Sequence, residues 1–123
     1  MAKTVAVIGA SSNRSKFGNK ALRAFLKRGY RAIPINPNEV EVEGHRTYPS
    51  VLDVPEPIDF ATFYVPGHVG VQVMNEVARK GVPEVWLNPG ADEPQVVNRA
   101  RELGLKTVRQ CSIIAIGESP GQY

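Results

Sequence analysis

The sequence predicts an α/β fold with a five-stranded parallel sheet, on three observations. Short apolar runs rich in β-branched residues alternate with segments of helical spacing along the chain. Glycine, proline or asparagine stands at most of the boundaries between them, as is typical of turns. The length of 123 residues suits one domain, so residues 1–123 are expected to form a single unit.

The first part of the chain contains two predicted strands and one predicted helix. Thr4–Ile8 is an apolar run that ends at Gly9, as expected for a buried strand. A helix follows, indicated by apolar residues at helical spacing: Ala21, Leu22, Phe25 and Leu26. Gly29 is expected to end this helix, and Tyr30–Ile35 is the second strand. The turn at residues 36–38 stops that strand.

The rest of the chain repeats this alternation after a polar connector at residues 39–57, which has room for a short edge strand. Three further strands are predicted at Ile58–Val65, Glu84–Leu87 and Leu105–Val108. The two helices between them have apolar faces at Val69, Val73, Val77 and Ala78, and at Val96, Val97, Ala100 and Leu103. Asp92 is expected to cap the second helix, with Gln95 as its partner three residues on. The apolar tail Ile113–Ile116 is expected to cover either the core or a second copy of the chain.

Five strands that alternate with helices predict a Rossmann-like three-layer sandwich with right-handed crossovers. Ligands bind such sheets at the carboxyl ends of the strands. Small residues, prolines and amides gather at those ends here: Gly9–Ser12, Asn36-Pro37, Val65-Pro66-Gly67, Asn88-Pro89-Gly90 and Gln110-Cys111. Backbone groups can approach a ligand closely where side chains are small, so a binding site is expected at this edge.

Composition narrows the class of protein. Hydrophobic residues make up 42% and charged residues 22%, as in soluble globular proteins. No run approaches the roughly 18 apolar residues of a membrane helix, so no membrane association is expected. The single cysteine, Cys111, excludes an internal disulfide framework and a cysteine zinc site, and no metal site is expected. A cytoplasmic location follows as the default.

Charge is distributed unevenly along the chain. Residues 1–38 hold eight lysines and arginines and no acid, whereas the remainder holds seven basic residues and twelve acids. A one-sided basic segment attracts anionic partners, although a solvated helix face formed by Lys20, Arg23 and Lys27 explains it equally well. Nucleic acid is not the expected partner, because this helix lacks interleaved aromatic residues and the net charge is only +3.

The loop from Gly9 to Gly18 suits phosphate groups. It lies between the first strand and the first helix, where free N–H groups and the positive end of the helix point. Hydroxyl, amide and basic side chains add donors: Ser11, Ser12, Asn13, Arg14, Ser15 and Lys16. The alternative is a serine-rich capping turn of the kind that any strand–helix unit can use.

This loop departs from two known phosphate motifs. The dinucleotide fingerprint needs a second glycine where Ser11 stands, and a P-loop needs Gly-Lys where Arg14 and Ser15 stand. An NAD site usually has an acid at the end of the second strand, where this chain has Asn36. An amide there, beside a basic helix, tolerates a phosphorylated ribose better than a free one.

A series of short motifs spans nearly the whole chain: Val7–Ser12, Gly29-Tyr30, Pro34–Pro37, Gly44, Tyr48-Pro49-Ser50, Ile58-Asp59, Val65-Pro66, Trp86–Gly90 and Cys111. In order and spacing they resemble the small stand-alone CoA-binding domain proteins. That domain is similar to the N-terminal domain of the succinyl-CoA synthetase α subunit. The resemblance implies a Rossmann-like fold and coenzyme A as the nucleotide ligand.

The resemblance also implies which parts of the chain hold CoA. The phosphates would lie on the Gly9–Gly18 loop, and the Asn36-Pro37 turn would lie beside the adenosine. Val65-Pro66 would border the nucleotide or the pantetheine, and Asn88–Gly90 would line the thiol end. The expected cofactor-binding residues are Gly9, Ala10, Ser11, Ser12, Asn13, Arg14, Lys16, Gly18, Asn36, Pro37, Val65, Pro66, Asn88, Pro89, Gly90 and Cys111.

The expected function is non-catalytic binding of coenzyme A or an acyl-CoA. No nucleophile–base–orienter set is recognisable, so no catalytic residue is assigned, and His45 and His68 are expected on the surface. Cys111 is interpreted either as a small buried filler or as a thiol that could form a mixed disulfide with CoA. The alternative function is an NAD(P)-dependent oxidoreductase or redox sensor on the same fold. A homodimer or a separate protein partner stays open.

Overall fold

Strands and helices alternate along residues 3–123, the range that this computed structural model describes; Met1 and Ala2 of the predicted unit lie outside it. In chain order the elements are β1 (Thr4–Ile8), α1 (Phe17–Lys27), β2 (Arg31–Ile35), β3 (Glu41–Val42), β4 (His45–Arg46), a 3-10 turn (Val51–Asp53), β5 (Phe60–Phe63), α2 (Gly67–Lys80), β6 (Glu84–Leu87), α3 (Pro94–Glu102), β7 (Lys106–Arg109), α4 (Ser112–Ala115) and a second 3-10 turn (Pro120–Gln122).

Five of these strands form one parallel sheet in the order β2–β1–β5–β6–β7. This confirms the predicted five-stranded Rossmann-like α/β fold. The strand order reverses between β1 and β5, because the chain leaves β1 toward one edge of the sheet and later builds toward the other. Their carboxyl ends, Ile8 and Phe63, are therefore paired at the switch point, where open parallel sheets bind ligands.

Helices cover both faces of the sheet. On one face α2 and α3 bury Met74, Val77 and Val96. On the other face α1 buries Leu22 and Phe25 completely. The predicted three layers result from these two separate apolar clusters.

An aromatic cluster fills the layer between the sheet and α1. The Phe60 and Trp86 rings stack with centroids 4.3 Å apart, and Phe25 meets Tyr30 edge-on at 5.0 Å. Phe25 also lies 5.9 Å from Phe60, so it joins the strands to the helix. Trp86 is only half-buried, and its indole N–H donates to Glu84 Oε2 at 2.7 Å.

The capping prediction for α3 is wrong. This helix begins at Pro94 with Glu93 at the N-cap position, and no side chain there makes a capping hydrogen bond. The Asp92 carboxylate instead pairs with the Arg109 guanidinium at 3.4 Å, at the end of β7. Asp92 thus pairs with a distant residue on β7. The sequence spacing had suggested a local contact at the start of α3.

The polar connector contains more structure than a loop. Strands β3 and β4 form a two-stranded antiparallel hairpin, and Val42 on it is buried against the α1 side of the core. Its turn places both Glu43 (φ 50°) and Gly44 (φ 77°) in the left-handed region. The apolar tail also has a defined place, because Ile113 is fully buried beside α1 while Ile114 is 64% exposed. Of the two roles predicted for the tail, Ile113 therefore has the first, because it packs in the core of this chain.

Residues 117–123 pack against the basic side of α1. The Glu118 carboxylate is 7% exposed and pairs with Lys27 at 3.3 Å and Arg28 at 2.8 Å. Tyr123 donates its hydroxyl to Glu118 at 2.5 Å, and the Arg23 guanidinium lies 5.4 Å above the Tyr123 ring. The Tyr123 hydrogen bond, together with Lys27 and Arg28, holds the pKa of Glu118 below its usual range. Two residues of the predicted basic stripe, Arg23 and Lys27, are therefore in contact with the chain's own end.

The aromatic cluster makes Phe25→Ala the most informative core substitution. Phe25 is fully buried, so we expect a loss of about 3–5 kcal/mol in the free energy of unfolding. Phe17→Ala is the matched control: that ring is 54% exposed, and its loss should cost less than about 1 kcal/mol. Urea unfolding measures both. Equal costs for the two variants would contradict the core assignment.

Candidate functional site

A cavity of about 940 Å³ opens at the carboxyl edge of the sheet, beside the switch point between β1 and β5. Its walls come from segments that follow all five strands of the sheet and from the start of α1. Eleven of the residues predicted for the site line it: Gly9, Ser11, Lys16, Gly18, Asn36, Val65, Pro66, Asn88, Pro89, Gly90 and Cys111. Five distant stretches of sequence thus meet around one space of cofactor size.

Two glycines let the backbone close up at one end of this cavity. Gly9 has φ 88°, and a Cβ there would lie 2.5 Å from the Tyr64 carbonyl oxygen. A Cβ on Gly18 would overlap the Gly9 carbonyl oxygen. The first turn of α1 therefore rests directly on the end of β1. This contact turns the β1–α1 loop (residues 9–16) and the helix N-terminus toward the cavity.

The other predicted residues of the site do not line the cavity: Ala10, Ser12, Asn13, Arg14 and Pro37. Ser12 donates its backbone N–H and its hydroxyl to Glu39 Oε2, at 2.7 and 2.9 Å. Arg14 Nε pairs with Glu43 Oε2 at 3.4 Å. The side-chain Oδ1 of Asn13 accepts hydrogen bonds from the backbone N–H and the hydroxyl of Ser15. It therefore stabilises the loop itself. Ala10 is fully buried in the core and Pro37 is exposed in its turn.

Asn88 lines the cavity, yet its amide group is engaged by the fold. Its Nδ2 donates to Thr62 Oγ1 and to the Phe63 carbonyl, each at 2.8 Å. Its Oδ1 accepts the Ser112 N–H at 2.8 Å, and the Ser112 and Thr62 hydroxyls lie 2.7 Å apart. These side chains are buried, so Asn88 ties the ends of β5 and β6 to the start of α4.

The cavity also includes five residues that sequence reasoning missed: Phe17, Tyr64, Ala91, Glu93 and Pro120. Tyr64 and Ala91 directly adjoin predicted site segments, so a wider window around the strand ends would have included them. Pro120 lies beyond the last strand, and no local pattern marks it. Burial raises the pKa of the Tyr64 hydroxyl, and the nearby Cys111 adds to this effect.

A carboxylate also stands at the N-terminus of α2. The Gly67 N–H donates to Glu93 Oε1 at 3.2 Å, and a Cβ on Gly67 would lie 2.7 Å from that carboxyl group. Glu93 therefore satisfies the first free N–H of α2 and gives this wall of the cavity a negative charge.

Neither histidine reaches the cavity: His45 and His68 are both exposed. Among residues 3–123, no group of three or more His, Cys, Asp or Glu side chains is placed to hold a metal ion. Over the same described range, no helix is long and apolar enough to span a bilayer.

Comparison with known proteins identifies the family. A family model described as the CoA binding domain matches residues 3–117, and the chain belongs to that family. This agrees with the resemblance inferred from the motifs.

The relatives include larger proteins. The α subunit of ADP-forming acetate–CoA ligase I from Pyrococcus furiosus is 33% identical over 120 residues, which covers 85% of this chain and 26% of that subunit. The ADP-forming acetate–CoA ligase of Methanocaldococcus jannaschii is 40% identical over 80 residues, or 65% of this chain and 11% of that protein. The chain thus spans about a quarter of these curated relatives or less.

Solved structures of similar size share the fold. A hypothetical protein from Pyrococcus horikoshii OT3 superposes with a TM-score of 0.87 at 29% identity, covering 94% of this chain and 81% of that one. The chain and this protein therefore share one fold.

The Asn88 network leads to a prediction about stability. Asn88→Asp replaces both Nδ2 donors by a buried acceptor, and we expect a loss of at least about 2 kcal/mol in the free energy of unfolding. Asn98→Asp is the matched control, because Asn98 is exposed on α3 and should change stability by less than about 0.5 kcal/mol. Thermal unfolding of both variants measures the difference. A neutral Asn88→Asp would contradict a structural role for the amide.

Proposed function

We propose that this chain acts as a single CoA-binding domain, which binds coenzyme A, free or as an acyl-CoA, without catalysing a reaction. The observation that carries the proposal is the cavity at the switch point, with the glycine-bordered β1–α1 loop at one end. Membership of the CoA binding domain family supports the choice of ligand. In this proposal the nucleotide lies across the carboxyl edge of the sheet.

The polar end of the cavity suits the phosphates of CoA. Gly9 and Gly18 keep side chains away from the backbone there, and Ser11 and Lys16 border the same end. The N-terminus of α1 adds the positive end of a helix. We therefore assign the phosphates to Ser11, Lys16 and the first turn of α1. Ser12 and Arg14, which the sequence suggested for this role, are engaged by Glu39 and Glu43 instead.

The remaining walls suit the rest of the ligand. The Asn36-Pro37 turn is assigned to the adenosine end, and Val65-Pro66 to the nucleotide or the pantetheine. The thiol end is assigned to the Asn88–Gly90 segment and Cys111, which line the cavity together. Here the backbone after Asn88 is the contacting surface, because its side-chain amide is already bonded within the fold.

A binding role fits the side chains around the cavity better than a catalytic one. Within the described part of the chain, both histidines stand outside the lining, so no imidazole is in position to activate a nucleophile there. Two curated relatives of this chain carry the matching segment as part of larger ligases. This supports a role in which the chain works beside a separate protein partner.

Thermal-shift titrations with CoA, dephospho-CoA, NADH and ATP test the ligand. A ligand at about 100 times its dissociation constant adds roughly 2.7 kcal/mol to stability, enough to raise Tm by several degrees. We expect the largest shift with CoA and a smaller one with dephospho-CoA. No binding of CoA at millimolar concentration would overturn the proposal. A shift with NADH alone would favour the NAD(P)-dependent oxidoreductase or redox sensor.

Lys16→Gln tests where the phosphates lie. Lys16 lines the cavity, so loss of its charge should weaken CoA binding about tenfold, which corresponds to roughly 1.4 kcal/mol. Lys3→Gln is the control, because exposed Lys3 precedes β1 at the opposite edge of the sheet. Calorimetric titration of both variants gives the dissociation constants. Equal affinities would place the phosphates elsewhere.

A further inference from the structure

Glu39 takes the place of an external anion at the β1–α1 loop. Its Oε2 accepts two hydrogen bonds from one residue, the Ser12 N–H at 2.7 Å and the Ser12 hydroxyl at 2.9 Å. A backbone N–H and a hydroxyl just before a helix are the donors that a phosphate oxygen uses. The fold thus directs its own carboxylate to donors suited to a phosphate.

The turn after β2 places Glu39 there. Asn36 Oδ1 accepts the Asn38 N–H at 2.8 Å, and Asn36 Nδ2 donates to the Ala10 carbonyl at 2.8 Å. One amide side chain therefore shapes the turn and also attaches it to the β1–α1 loop. The Glu39 N–H closes the turn on the Asn36 carbonyl at 3.4 Å.

A second carboxylate from the same connector supports the arrangement. Glu43 Oε2 accepts from Asn19 Nδ2 at 3.1 Å and pairs with Arg14 Nε at 3.4 Å. Asn19 also donates to the Ser11 carbonyl at 2.8 Å. The two glutamates thus hold the loop by side chains that lie outside the cavity lining, while Ser11 and Lys16 of the same loop face the cavity.

Glu39 is anionic under ordinary conditions. The Ser12 N–H and hydroxyl, in that order, lower its pKa, and the charge of Lys16 lowers it further. Lys16, on the same loop, lines the cavity where a phosphate would bind. A ligand phosphate that reached the Ser12 N–H and hydroxyl would find both already bonded to this negative charge.

We propose that Glu39 lowers the affinity of the β1–α1 loop for ligand phosphates, because its carboxylate holds the Ser12 N–H and hydroxyl and must leave them before a phosphate can bind there. The inference rests on the proposed function and deepens it, because it concerns the phosphate end of the same site. Competition weakens the binding of every phosphate at this loop. A small anion such as pyrophosphate has no other contacts to offset that loss, whereas a whole CoA has the rest of the cavity.

Glu39→Gln tests the competition. Glutamine keeps an acceptor for Ser12 and removes the charge, and a neutral acceptor is held less strongly. We expect the variant to bind CoA about tenfold more tightly than the wild type and to gain measurable affinity for inorganic pyrophosphate. Glu41→Gln is the matched control: it makes the same change two residues further on, at an exposed position on β3, and should alter affinity less than about twofold.

Salt separates competition for donors from long-range repulsion. Screening shortens the reach of charges from about 10 Å at 0.1 M salt to about 3 Å at 1 M. If Glu39 competes at the Ser12 donors, the ratio of affinities between Glu39→Gln and the wild type stays above about threefold at 1 M salt. A ratio that falls to the Glu41→Gln value at high salt overturns the proposal.

NMR titration of the wild-type chain is a further test, and it does not depend on whether a variant folds. Without ligand, protonation of Glu39 should change the chemical shift of the Ser12 amide, and the midpoint of this change should lie at a pH below the usual pKa of glutamate. With saturating CoA, displacement of Glu39 should return its carboxyl pKa toward the usual range. If CoA moves the Gly9 and Gly18 amides but leaves the Glu39 titration and the variant's affinity unchanged, this inference fails while CoA binding stands. If CoA moves no amide, the proposed function itself fails.

Discussion

The contact between Gly9 and Gly18 is the constraint on which the site depends. Gly9 donates its N–H to the Ile35 carbonyl at 3.0 Å, and Tyr64 donates its N–H to the Ile8 carbonyl at 2.9 Å, so the hydrogen bonds that join β2, β1 and β5 continue to the cavity edge. A side chain on Gly18 would push α1 away from the end of β1, and a side chain on Gly9 would clash with the Tyr64 carbonyl after β5. With that contact intact, the helix N-terminus, the loop and the strand ends share one space.

The second anchor lies at the far side of the cavity, where a buried polar network replaces glycine packing. Asn88, Thr62 and Ser112 are all 2% exposed or less and satisfy one another. Buried polar groups are costly unless each has a partner, so such a network favours one arrangement of the strand ends over all others. It fixes the loop after β6 and the start of α4, which together carry Pro89, Gly90 and Cys111 into the lining. Both ends of the cavity are thus held by contacts between residues that are distant in the sequence.

Half of the eight basic residues in residues 1–38 form ion pairs in the structure. Arg14 pairs with Glu43, Arg31 with Glu56, and both Lys27 and Arg28 with Glu118. Each acid comes from at least 25 residues later in the chain. The surface that can attract anions is therefore smaller than the basic first segment suggests. Lys16 is the basic residue of that segment that lines the cavity.

The sequence by itself determined the five strands, the three longer helices and the edge at which a ligand would bind. Those features follow from apolar periodicity and from turn residues, which act over a few neighbours. Even there, Asp92 shows the limit, because its ion pair with Arg109 on β7 decided its role in place of the predicted cap. The hairpin at β3 and β4 was too short to give a periodic signal.

Only the tertiary structure decided which residues of each loop face the cavity. Ser11 and Ser12 are indistinguishable in the sequence, yet one lines the cavity and the other bonds to Glu39, 27 positions away. Pro120 enters the lining although no local pattern marks it, whereas Phe17 and Tyr64 do so beside residues that the sequence did predict. The physical reason is that a side chain's direction depends on partners from distant parts of the chain, and sequence periodicity carries no information about those pairings.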